Sequence, residues 1–160
     1  MRKYIFLFSI CAIIAFSVKA QDKTVYNSYK EMVAAAKAEI NQISTENFHK
    51  KYTEALSSGD AAFTLIDIRT QAENDEGSIP GAFFIQRGVL ESRIEKDAVW
   101  EEFSREKPKK DELIILYCRS GSRSALAALT LKHLGYTNVY SLEGGWSAWN
   151  EKYPNLKKTE

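Results

Sequence analysis

Two cysteines and two histidines in 160 residues leave little material for metal chemistry. A structural zinc site takes four ligands, drawn mostly from those residue types. His49 and His133 fall on predicted helices and support neither a metal site nor a Cys-His protease. Excess charge of one sign is lacking too: 22 Lys and Arg stand against 21 Asp and Glu, a net charge of +1. Lysines and glutamates are well mixed, and no basic block interleaved with aromatics is present, so nucleic acid is not indicated as a partner. There are no repeats and no low-complexity tract. Apart from one N-terminal run, no long apolar stretch occurs, and that run, Tyr4 to Val18, is shorter than the 18 or more residues of a membrane span.

Arg2 and Lys3 precede that run, and Val18-Lys19-Ala20 follows it, the pattern of a secretory signal peptide over residues 1–20. Cleavage after Ala20 predicts a periplasmic or secreted protein with no stable membrane association; a retained anchor is the competing reading. Ile10 stands before Cys11 where a lipoprotein signal wants a small residue. Cleavage also leaves Cys118 as the only cysteine, which excludes an intramolecular disulfide and a paired-cysteine thioredoxin mechanism. A lone exposed thiol in an oxidising compartment is a liability unless it has a task.

What is present centres on that cysteine. Leu113 to Tyr117 is a continuous apolar run too short for a helix, and Ala125 to Leu134 is rich in alanine and leucine at helical spacing. Cys118 therefore lies at a strand-to-helix corner. Amide groups of the turn and the aligned dipoles of the first helical turn favour an anion there, and adjacent arginines in general favour thiolate over thiol. Ser120, Gly121 and Ser122 keep the loop interior open, while Arg119 and Arg123 add positive charge. A buried, inert cysteine followed by solvated arginines is the bland reading of the same residues.

The remaining roughly 140 residues fit one domain. Met32, Ala35, Ala36 and Ile40 predict a helix over Tyr29 to Asn41, a packing appendage in an extension of residues 21–42. Ser44 is a plausible cap for a helix from Thr45 to Leu56, ended by Ser57-Ser58-Gly59-Asp60. Strands are predicted at Phe63 to Ile68, Phe83 to Ile85, Leu113 to Tyr117 and Val139 to Leu142. Helical stretches at Asp97 to Phe103 and Arg123 to Leu134 between them imply parallel pairing through right-handed crossovers. An open parallel sheet binds ligands at the carboxyl ends of its strands, where Cys118, Asp67 and Arg69 all lie.

Two further segments join the cysteine loop in a resemblance. Leu65-Ile66-Asp67-Ile68-Arg69, then Glu73 and Gly77-Ser78-Ile79-Pro80-Gly81-Ala82, resembles the first signature of single-domain rhodaneses, with Ser78 where histidine is usual. Leu142-Glu143-Gly144-Gly145-Trp146-Ser147-Ala148-Trp149 resembles their C-terminal signature. The match spans roughly Ile43 to Tyr153, within a domain of residues 43–156 followed by a tail of 157–160. It implies an α/β fold of three layers, with a central, mostly parallel sheet of about five strands flanked by helices.

The resemblance also implies sulfurtransfer. Cys118 would take a sulfane sulfur from thiosulfate or another persulfide donor and pass it to a thiol or cyanide, or to a protein acceptor. Amides of residues 119–123 would hold the persulfide, Arg119 and Arg123 would draw the anionic donor, and no cofactor is required. Related phosphatases place five residues between cysteine and arginine; here four separate Cys118 from Arg123, which favours sulfur over phosphate. A non-catalytic persulfide carrier or a redox or docking module is the alternative; phosphatase and arsenate reductase are minor ones. Asp67 and Arg69 are expected to form an ion pair bracing the loop. Arg87 either reaches toward the cysteine or is solvated. Trp146 and Trp149 are expected in packing, and Glu73 and Glu76 in loop solvation.

Overall fold

The computed structural model describes residues 25–59 and 63–158. The segment of residues 1–20 predicted as a signal peptide, with Cys11, and Asp60 lie outside them. Five strands are formed, β1 (Asn41–Ile43), β2 (Thr64–Asp67), β3 (Phe83–Phe84), β4 (Ile114–Tyr117) and β5 (Val139–Leu142). The helices are α1 (Tyr29–Glu39), α2 (Thr45–Ser58), α3 (Gln71–Asp75), α4 (Leu90–Arg93), α5 (Asp97–Glu101), α6 (Ser122–His133) and α7 (Gly145–Lys152), with a 3-10 turn at Arg87–Val89.

All four strand pairings are parallel, in the order β1-β5-β4-β2-β3. Strands buried on both faces read as continuous apolar runs, and alternate residues then serve opposite cores. Ile114, Leu116 and Cys118 join Ile66 and Ile68 in one core, which Ala127, Ala128 and Leu131 of α6 complete. Ile115, Tyr117 and Leu65 face the other, with Phe48 and Tyr52 of α2 and Trp149 of α7. The expected three-layer α/β fold is thus the one observed. The chain leaves β2 toward β3 and leaves β4 toward β5, so β2 and β4 flank the point where the winding direction reverses. A crevice opens at the strand ends there. Asp67 and Tyr117 are register partners at that end.

The N-terminal helix departs from expectation. It stops at Glu39, and Asn41 begins the edge strand β1, which pairs with Tyr140, Ser141 and Leu142 of β5. Of its three residues only Ile43 is buried, so no alternation announced it. α1 itself packs on α6 through Val33 and Ala36. The cap at Ser44 is as expected, its hydroxyl accepting from the Asn47 amide at 3.2 Å, and Gly59 ends α2 in the left-handed region. Lys158, in the predicted tail, forms an antiparallel bridge with the buried Ser78.

Candidate functional site

The carboxyl end of the central strand delivers Cys118 into a pocket of hydrogen-bond donors. The residue is 1 % exposed, and its Sγ accepts from the Gly121 amide at 3.2 Å and from the Ser124 hydroxyl at 3.7 Å. Gly121 adopts φ +91°, and a Cβ there would stand 3.2 Å from the Leu142 carbonyl oxygen. Ser124 Oγ is 2.8 Å from Ser141 Oγ, both buried. With the Ser124 proton directed at sulfur, Ser141 donates to Ser124. The amides of Arg119 and Ser120 donate to nothing among the described residues.

The glycine pair at the start of α7, Gly144 as cap and Gly145 as first residue, fixes how the loop is held. Trp146 N–H donates to the Cys118 carbonyl at 2.8 Å and Ser147 N–H to the Arg119 carbonyl at 3.0 Å. The first amides of a helix lack intrahelical partners, and here they consume loop carbonyls. Gly144 and Gly145, with φ of +68° and +55°, let α7 approach that closely. The cysteine loop is therefore held by its carbonyls on one side, and its N–H groups remain for an anion on the other.

Charges around the loop are arranged differently from the sequence reading. Asp67 and Arg69 do form an ion pair, at 2.7 Å and almost fully buried. Arg69 also donates to the Gly77 carbonyl at 2.6 Å and lies over the Trp146 ring at 4.7 Å. The pair thus braces the turn before Ile79 and, through Trp146, the cysteine loop. Tyr117 OH accepts from the Ile79 amide at 3.1 Å; burial first, then nearby Asp67, pushes this phenol up, so it stays neutral.

Arg123 is not a free cation. Glu73 holds its guanidinium at 2.7 and 2.8 Å in a two-pronged pair, so Glu73 does more than solvate a loop. It also completes a capping box with Thr70. The hydrogen bonds from Arg123 bring the Glu73 carboxyl down to about 2. Because the folded value lies below the ordinary 4.5, this pair's contribution to stability is full above that value and is lost as pH falls through about 2. In Arg123→Ala the Glu73 carboxyl should return toward the ordinary carboxylate range, read by carboxyl carbon chemical shifts against pH; an unmoved midpoint would contradict the pairing.

Arg87 does not reach toward the cysteine. It is bound to Glu91 at 2.5 Å and to Thr130 at 3.3 Å, more than two turns along α6 from the loop. Arg119 is exposed and has no ion-pair partner among the described residues. Ser120 is exposed, and Ser122 opens α6 half-buried. Trp149 is buried and donates to the Leu156 carbonyl, whereas Trp146 is partly exposed beside Arg119. His49 stacks on Tyr153, with ring centroids 4.0 Å apart. Sequence reasoning missed Ser124 and Ser141; the one available signal was a serine on the otherwise alanine- and leucine-rich buried face of α6.

Residues 49–152 match the rhodanese-like domain. The human thiosulfate:glutathione sulfurtransferase is 37 % identical over 100 residues, 61 % of this chain and 85 % of that protein. A human single-domain sulfurtransferase structure aligns with a TM-score of 0.58 at 31 % identity, covering 69 % of this chain and 96 % of that one. A Rhodopseudomonas palustris structure, described as a protein of unknown function and possible tyrosine phosphatase, aligns with a TM-score of 0.63 at 30 % identity, covering 83 % and 96 %. The fold, the cysteine loop and these matches agree, and the chain belongs to the rhodanese-like domain family as a single-domain, rhodanese-type sulfurtransferase.

Proposed function

We propose that the protein moves a sulfane sulfur from thiosulfate or another persulfide donor to a thiophilic acceptor through a persulfide on Cys118. The observation that carries this reading is the surrounding of Cys118 Sγ, where the Gly121 amide and the Ser124 hydroxyl donate and the amides of Arg119 and Ser120 are unused. In the first step the Cys118 thiolate attacks the outer sulfur of thiosulfate. A sulfur–sulfur bond forms to Cys118, the bond to the sulfonate sulfur breaks, and sulfite leaves with its electron pair. In the second step a thiolate or cyanide attacks the bound sulfur, and Cys118 departs as thiolate. Two half-reactions of covalent catalysis predict ping-pong kinetics, and preorganised donors hold the anionic persulfide between them.

The phosphatase reading expects five residues between the cysteine and its phosphate-binding arginine, whereas four separate Cys118 from Arg123. A carrier with negligible turnover shares the persulfide and differs only in steady-state rate with cyanide or small thiols. We also propose export to the periplasm or out of the cell, supported by the cationic start, apolar run and small residue before Gln21. The test of the chemistry is whole-protein mass spectrometry after exposure to thiosulfate. One sulfur atom should be gained by the wild type and none by Cys118→Ser; no gain by the wild type, or an equal gain by the variant, refutes the proposal.

A further inference from the structure

Ser141 is 1 % exposed on β5, where it is the register partner of Leu116. It therefore faces the same side of the sheet as Cys118, two residues beyond Leu116. Its neighbour there is Ser124, fully buried in the first turn of α6, with the two Oγ atoms 2.8 Å apart. A serine inside a helix commonly bonds back to a carbonyl three or four residues earlier. Ser124 makes no such bond among the described residues: its Oγ is paired with Ser141 and, at 3.7 Å, with Cys118 Sγ.

Two hydroxyls bring two protons. The Ser141 proton has two acceptors in reach, Ser124 Oγ at 2.8 Å and the Gly121 carbonyl oxygen at 3.5 Å. The second contact is longer than an ordinary O–H···O bond, and that carbonyl already accepts from the Ala125 amide at 3.2 Å. The Ser141 proton is thus placed on Ser124, and the Ser124 proton is left for the sulfur. A negative charge on Sγ reinforces this order, because a hydroxyl whose oxygen accepts a hydrogen bond is itself a stronger donor.

We infer that Ser141 is a positioning residue: it holds the Ser124 side chain and directs its proton to Cys118 Sγ, so that the two hydroxyls together stabilise the thiolate. The use of that stabilisation rests on the persulfide reading. When cyanide discharges the persulfide, its carbon attacks the outer sulfur. A carbon–sulfur bond forms, the sulfur–sulfur bond breaks, and Cys118 departs with the electron pair. The charge arriving on Sγ meets a proton already aimed at it. Ser124 touches the reacting atom, whereas Ser141 acts on it through Ser124 alone.

The test is a double-mutant cycle in the full chain: wild type, Ser124→Ala, Ser141→Ala and the two combined. Ultraviolet absorbance of the thiolate is followed against pH, each protein measured as its difference from the same protein carrying Cys118→Ser. The charged groups about the sulfur, namely Arg119, the Arg123–Glu73 pair and the Asp67–Arg69 pair, stay in place throughout and cancel from the comparison. A hydrogen bond to the charged form favours it, so its loss moves the profile to higher pH. Ser124→Ala should move it by about one unit and Ser141→Ala by about half a unit. Added to Ser124→Ala, Ser141→Ala should move it by less than roughly 0.2 units. Discharge of the sulfur-loaded protein by cyanide should slow roughly threefold in Ser124→Ala, since a more basic thiolate is the poorer leaving group. A Ser141→Ala profile that coincides with the wild type, or an equal shift with and without the Ser124 hydroxyl, overturns the positioning role and leaves the persulfide reading standing. The thiolate profiles need no loaded sulfur. A wild type that takes up no sulfur from thiosulfate refutes the persulfide reading, and with it the part given to the pair in discharge.

Discussion

Replacing Gly145 with alanine should destabilise the protein by about 3 kcal/mol and cut sulfur uptake by Cys118 about a hundredfold. The new Cβ would fall directly against the Cys118 carbonyl oxygen and 2.9 Å from that of Arg119. Both are backbone atoms, so no side chain can swing away. Gly145 also sits at φ +55°, where any other residue is strained. Either α7 withdraws and loses its hydrogen bonds to the loop, or the loop is displaced and the donors no longer converge on sulfur. Gly135→Ala separates the two causes. Gly135 has φ +88° and open space around its missing Cβ, far along the chain from the loop. It should lose about 1–2 kcal/mol from backbone strain alone and keep its sulfur uptake. Thermal unfolding and mass-detected sulfur loading read both quantities. A Gly145→Ala protein that loads sulfur at the wild-type rate would show that the close approach of α7 is not needed.

The second large effect is expected at Arg69. Its side chain is 1 % exposed, and Arg69→Met removes the cation from Asp67, the donor from the Gly77 carbonyl and the partner from the face of Trp146. Breaking a buried ion pair from one side costs about 3–5 kcal/mol, because the remaining charge stays desolvated. Asp67 would keep the Asn74 side-chain amide, the backbone amide of residue 69 and the neighbouring Tyr117 hydroxyl, and lose its only cation among the described residues. Adding Asp67→Asn to Arg69→Met should therefore recover much of the loss, since a neutral amide tolerates burial far better than a carboxylate. Chemical denaturation of the two variants beside the wild type measures this. If the double variant is no more stable than Arg69→Met, the destabilisation comes from lost packing and not from the stranded charge.

What the sequence made legible is what local chemistry controls. The run Leu113 to Tyr117, the corner at Cys118 and the helix behind it follow from apolar pattern and turn residues. Ser44 and Gly59 bound α2 by their own backbone and side-chain preferences. β1 was hidden because Asn41 and Gln42 are held by backbone pairing to β5, not by burying their side chains. The short α3 and α4 offer too few residues for a period to show. Long-range pairs were equally silent. Glu73 and Arg123 are 50 positions apart, and nothing near either predicts that they meet. Ser141 stands on a strand and gains significance only because α6 lays Ser124 against it. The sequence leaves Arg87 open between reaching the cysteine and being solvated, and Glu91, one helical turn away, captures its guanidinium.

Burial of Cys118 has a regiochemical consequence. A persulfide contains two electrophilic sulfurs, and attack at the inner one would release hydrosulfide and trap the protein as a mixed disulfide. The inner sulfur here would be the one now enclosed beneath Gly121 and Ser124. Only the added atom would project from the loop toward an incoming nucleophile. The same sulfur–sulfur bond would break in either attack; in the proposed persulfide, burial would select which sulfur is attacked, so that the terminal sulfur is handed on and the starting thiolate regenerated.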